Sequence, residues 1–150
     1  MASDLRLIGL LSRALSHELS AVQQYLAQAK LTGMWGMASE SKRFREDVSA
    51  ELGHAEQLME ALLSYGVAPG AAQLPPTRLG RTLAEMLEID RVLEVEAVRV
   101  YEDAVRYCER SRAPQACALF SKILEDEIAH IKELDEWRAT LSREAAYGRN

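Results

Sequence analysis

The chain has too few of the residues that would mark several protein classes. It holds only two cysteines, Cys108 and Cys117, and they do not form a CxxC pair. A disulfide framework is therefore excluded, and both read as buried or half-buried free thiols suited to a reducing compartment. No run of 18 apolar residues occurs, so nothing is expected to span a membrane. The opening MASDLRLIGLLSRALSHELS has no basic region ahead of an apolar stretch, so a secretory signal is not expected and the cytoplasm is. Basic residues do not dominate either. Eighteen Lys and Arg against 23 Asp and Glu leave a net charge of −5, which argues against a nucleic-acid partner and suits the attraction of cations.

Apolar residues make up 48% and charged residues 27% of 150 positions, the balance of one ordinary water-exposed domain with a sizeable core. Three of the four prolines and three of the eight glycines fall in one stretch, Gly66 to Gly80, and that stretch is the main loop. Around it lie four amphipathic segments of helical period. The first runs from about Asp4 to Gly33, with Leu7, Leu11, Leu15, Val22 and Tyr25 on one face. The second runs from about Ser39 to Tyr65 and stops at Gly66. The third opens with a capping box, Thr82 to Glu85, and reaches about Ser111. The fourth starts at Pro114 and extends at least to Leu141.

The outer connections are short, so each helix pair is an antiparallel hairpin. The middle loop of about 15 residues can stretch roughly 50 Å. A helix of about 28 residues is about 42 Å long. The loop can thus run the full length of the bundle and start the third helix parallel to the second. The expected fold is all-α, an antiparallel four-helix bundle with a long crossover between its second and third helices.

One motif is written twice. Glu18, Glu51 and His54 recur 76 positions later as Glu94, Glu127 and His130, and Tyr25 recurs as Tyr101. Only three histidines exist, and two of them carry a Glu at −3 and another at −36. At about one Glu in nine residues, these coincidences come to roughly one in several thousand. Internal duplication is the simplest description.

Leu11, Leu15, Val22 and Tyr25 share the face of Glu18, and Leu87, Ala97, Val98 and Tyr101 share that of Glu94. Both carboxylates therefore point into the apolar side. A lone buried carboxylate costs several kcal/mol, and four together repel, so something positive must compensate. Those faces offer few basic residues, Arg91 bordering the Glu94 face being one. Two divalent metals balance four carboxylates, and Glu and His at i, i+3 present both ligand types from one helix face. Mixed oxygen and nitrogen ligation suits iron or manganese better than zinc. Tyr25 and Tyr101 read as core tyrosines hydrogen-bonded to the site, Tyr25 with a candidate redox role. Asp126 is a candidate acceptor for an imidazole. Its counterpart in the repeat is Ala50. His17 reads as a surface residue, because its neighbour Glu18 takes the inward face.

These motifs resemble a bacterioferritin over nearly the whole chain, to about Arg138. The resemblance rests on His17-Glu18-Leu19, Gln24-Tyr25, Trp35-Gly36, Glu51-Leu-Gly-His54, Glu85-Met86-Leu87 with Asp90 and Glu94, and Glu127-Ile-Ala-His130. It implies a ferroxidase centre of two iron ions per subunit. Glu51 and Glu127 would bridge, Glu18 and Glu94 would be terminal, and His54 and His130 would each bind one iron. Fe²⁺ would be oxidised by O₂ or H₂O₂ and stored in a cage. The family's haem-ligating methionine is Leu52 here, which has no lone pair for iron, so no haem of that kind is expected. Glu46 and Ala50 stand at the family's inner-surface iron site, which weakens that route. The chain ends at Asn150, too soon for the family's fifth helix. A homo-oligomer is expected, at least a dimer, with a 24-subunit cage as the larger possibility. Two other readings are a dimeric di-iron oxidase or peroxide scavenger that stores nothing, and a structural or partner subunit. The lack of CxxC pairs to feed electrons counts against the scavenger, and the intact ligand set counts against the scaffold.

Overall fold

The computed structural model describes residues 4–70 and 73–148. Four helices account for nearly all of them: α1 Leu5–Met34, α2 Ala38–Ser64, α3 Leu83–Ser111 and α4 Pro114–Tyr147. Their ends follow the local chemistry. Asp4 caps α1 by accepting from the Leu7 amide at 3.0 Å. Thr82 and Glu85 form the expected box on α3, with Glu85 reaching back to the Arg81 amide at 2.7 Å. Pro114 opens α4. Gly36 and Gly66 adopt φ of 79° and 72° just past α1 and α2, the left-handed turn that ends a helix without Cβ strain.

The core divides into two clusters at opposite ends of the bundle. One joins Leu7 and Leu11 of α1 with Leu58 and Leu62 of α2, Ala104 and Cys108 of α3, and Phe120 and Ile123 of α4. The other joins Tyr25 and Ala29 with Phe44, Met86, Leu87 and Leu134. The start of α2 thus meets the start of α3, so these two helices run parallel, as the loop length required. Residues 71 and 72 of the crossover lie outside the described residues. The rest is tied to α1. Gln24 donates to the Arg78 carbonyl at 2.6 Å and accepts from the Arg78 amide at 2.9 Å, and Gln23 donates to the Pro75 carbonyl at 3.1 Å. Between the two clusters lies a buried polar layer.

Candidate metal centre

Helix periodicity delivers one carboxylate from each helix to that layer. Glu18, Glu51, Glu94 and Glu127 are all at most 1% exposed. His54 is buried one turn after Glu51, and His130 is half-buried one turn after Glu127. All six residues singled out by the repeat converge. They form two overlapping groups, Glu18–Glu51–His54–Glu127 and Glu51–Glu94–Glu127–His130, each with ligand atoms within 4.8 Å of one another. Glu51 and Glu127 belong to both groups. The two rings lie 6.4 Å apart between centroids.

Each imidazole turns Nδ1 to the carboxylates. His54 Nδ1 lies 3.1 Å from Glu127, 3.3 Å from Glu51 and 3.6 Å from Glu18. His130 Nδ1 lies 3.2 Å from Glu51 and 3.8 Å from Glu94. The far nitrogen of His54, Nε2, donates to Asp126 at 2.9 Å. That bond keeps a proton on Nε2 and leaves Nδ1 as the ring's free electron pair when the imidazole is neutral. The tyrosines are crossed. Tyr101 of the second half donates to Glu18 of the first at 2.5 Å, and Tyr25 of the first donates to Glu94 of the second.

The electrostatics are those of too many carboxylates in too little water. Burial, then the adjacent Glu51, pushes the Glu18 carboxyl well above its usual range. Burial and Glu94 push Glu127 up to about 11. Burial would raise Glu51 as well, but hydrogen bonds from Glu18, His130 and His54 hold it well below the usual carboxylate range. Burial would lower both imidazoles. It is outweighed by Glu51 and Glu94 at His130, which rises to about 11, and by Glu127, Glu18 and Glu51 at His54. The cluster alone holds protons on its imidazoles and on some of its carboxylates. Even so, Glu18 Oε2 and Glu94 Oε2 are buried without a hydrogen bond among the described residues, and Glu51 Oε1 and Glu127 Oε1 have only an imidazole Nδ1 near them, at 3.2 and 3.1 Å. Buried acceptors left unmade cost about 1–3 kcal/mol each. A cation is the natural partner of four buried carboxylates that leave such oxygens unmet.

Comparison with known proteins agrees with this reading. The ferritin-like domain family matches residues 8–144. A bacterioferritin from Rhodobacter capsulatus is 32% identical over 135 residues, covering 90% of this chain and 84% of the relative. One from Brucella melitensis is 30% identical over 150 residues, covering 99% and 93%. The solved structure of the Rhodobacter capsulatus bacterioferritin superposes with a TM-score of 0.91 at 31% identity, covering 95% of this chain and 89% of that one. That protein is described with a metal-free dinuclear site and a haem iron in a crystallographic special position. The chain belongs to the bacterioferritin family.

Several features of this family member were not evident in its sequence. A small cavity of about 20 Å³ leads from the cluster toward the surface, lined by Tyr25, Glu94, His130, Asp47, Glu133, Arg43 and Trp137. The Arg43 guanidinium sits 3.9 Å over the Trp137 ring at its mouth. Burial pushes the Asp47 carboxyl there up to about 7. Asp47 could have been found as the inward position one turn before Glu51, but its counterpart in the repeat is Ile123, so the duplication hid it. Gln28 donates to Asp90 at 2.7 Å in the buried layer, where the repeat places Ala104 and Ala14. Arg91, which the sequence set beside Glu94, instead pairs with Asp135 on the surface at 2.8 Å. His17 lines an open groove against the crossover, half-buried, and lies outside the cluster. Leu52 turns outward on α2, 43% exposed.

Proposed function

We propose that the chain is a ferroxidase of the bacterioferritin type, binding two Fe²⁺ per subunit at Glu18, Glu51, His54, Glu94, Glu127 and His130. The observation that carries this reading is the sharing of Glu51 and Glu127 between two otherwise separate ligand groups. Two divalent ions balance four carboxylates and displace the protons now held on the imidazoles. Glu51 and Glu127 would be shared between the two ions, Glu18 and Glu94 would each serve one, and His54 and His130 would each supply one nitrogen. Bound iron supplies one electron per ion. With H₂O₂ as oxidant, two Fe²⁺ give two electrons, the peroxide takes two protons, and two waters form. With O₂ the same pair supplies the first two electrons.

The protein's share is to hold, orient and keep dry. Asp126 fixes the His54 tautomer so that Nδ1 faces the metals. Tyr25 and Tyr101 fix the terminal carboxylates, and burial beside Glu94 and Glu18 raises both phenols well above their ordinary values, so they remain donors at neutral pH. Haem is not carried over from the relative, because Leu52 offers iron no lone pair. We read the chain as a homo-oligomer, at least a dimer, by extension from the bacterioferritin family to which it belongs.

An aerobic Fe²⁺ titration of metal-free protein tests the reading. Oxidation should saturate its fast phase near two irons per chain and be lost in His130→Ala with the helices intact. Oxidation no faster than in buffer alone would overturn it. Continued soluble uptake far beyond two irons would indicate a storing cage, and a plateau at two a catalyst that does not store.

A further inference from the structure

A wide groove lies far from the carboxylate cluster. It measures about 580 Å³ between the start of α1 and the end of α3, lined by Arg6, Arg13, Arg106 and Arg110 together with Leu10, Asp103, Tyr107 and Ser111. Four guanidiniums thus face one carboxylate in a chain of net charge −5. Only Arg106 uses that carboxylate, at 2.5 Å from Asp103. Arg13 and Arg110 have no acidic partner among the described residues.

Helix stability does not account for this placement. Arg6 lies in the first turn of α1, where the helix dipole disfavours a cation. Arg106 and Arg110 are like charges at i, i+4, which costs a few tenths of a kcal/mol, although Arg110 is favoured by the C-terminal end of the dipole. The groove is nevertheless braced. The Arg6 guanidinium stacks 4.8 Å over the Tyr107 ring. Tyr107 in turn donates to Asp4 at 2.7 Å, and Asp4 caps α1. Asp4 is thereby engaged by the Leu7 amide and the Tyr107 phenol, which hold its carboxyl below the usual range, and it does not line the groove.

We propose that this groove is a binding site for a small anion carrying several phosphate groups. Guanidiniums bind phosphate oxygens through paired N–H donors, and several around one cavity call for more negative charge than one phosphate brings. The volume lies in the range of small-molecule sites. The groove shares no residue with the metal centre, so the proposal stands apart from the ferroxidase reading.

The test is calorimetric titration of the full chain with inorganic tripolyphosphate at low salt, with ATP and sulfate in parallel. One saturable site per chain is expected for tripolyphosphate, weakened at least 30-fold in the double variant R13A/R110A. It should be unchanged in R45A, which removes an exposed charge from α2. Fe²⁺ oxidation in R13A/R110A reports whether the fold is intact. Equal affinity for tripolyphosphate and ATP would assign the site to the phosphate chain, and tighter ATP to a nucleotide, each within the proposal. Absence of saturable binding, sulfate binding as tight as tripolyphosphate, or an equal loss in R45A would overturn it.

Discussion

Tyr101 donates to Glu18 across 83 residues of chain, and Tyr25 makes the reciprocal bond to Glu94. Each half of the duplicated motif therefore orients the unshared carboxylate of the other, so the two halves depend on each other for the cluster's geometry. Tyr101→Phe removes a buried donor without opening a cavity. It should cost about 1–3 kcal/mol of metal-free stability in urea unfolding, because Glu18 Oε1 is left a buried acceptor without a donor. Tyr25 also lines the small cavity beside the site, whereas Tyr101 packs against Phe120 at 6.1 Å. Stopped-flow oxidation of Fe²⁺ should therefore slow several-fold more in Tyr25→Phe than in Tyr101→Phe. Equal slowing would confine both tyrosines to positioning carboxylates.

Shared and unshared ligands should separate in a metal titration. With Mn²⁺ as a probe, the unaltered chain should bind two ions. Glu18→Ala should lose one of them, while Glu51→Ala should weaken both. Metal at 100 times its dissociation constant adds about 2.7 kcal/mol of stability per site, so thermal unfolding gives an independent readout. A single unaltered transition in every variant would remove the basis for two linked sites.

The four helices were legible because period, caps and loop length agreed, and each end fell within a few residues of its expectation except that of α4, for which Leu141 had been a lower bound. The six cluster residues were legible because they repeat. What the sequence hid were the departures from the repeat. Asp47 stands opposite Ile123, and Gln28 with Asp90 stand opposite Ala104 with Ala14, so the repeat gave none of them a role, although Asp90 stood among the residues that carry the resemblance. Arg91 was misplaced because its long side chain reaches away from Glu94 to a surface partner, Asp135, on another helix.

Asp90 makes a pH prediction with a definite sign. Burial raises its carboxyl well above the ordinary value, so the folded state holds a proton that the unfolded chain releases. Its contribution to stability is greatest below the unfolded value of 3.8 and declines as pH rises from there through the folded value. Its Oδ2 and Gln28 Oε1 are both buried without partners. Asp90→Asn keeps the bond from Gln28 and adds an amide donor for Gln28 Oε1, with nothing to titrate. Urea unfolding of metal-free protein at pH 4.5 and pH 8 should show the variant gaining on the unaltered chain as pH rises. A difference that does not change with pH would sink the assignment.

Asp126 and Ala50 provide the sharpest test of the asymmetry. Asp126 anchors His54 through Nε2, and the equivalent position beside His130 is Ala50. A carboxylate behind a ligating histidine typically tightens metal binding 10–100-fold. Asp126→Ala should therefore weaken the His54 site by about 10–100-fold while sparing the other. Ala50→Asp should do the converse, tightening the His130 site by supplying the carboxylate that the duplication lacks. Competition between Mn²⁺ and a chelator, read site by site through paramagnetic broadening of the two imidazole resonances, would separate the two effects. If Ala50→Asp leaves the His130 site unchanged, the two halves differ in backbone placement as well as in side chain. The near-symmetry of the motif would then not extend to the groups behind it.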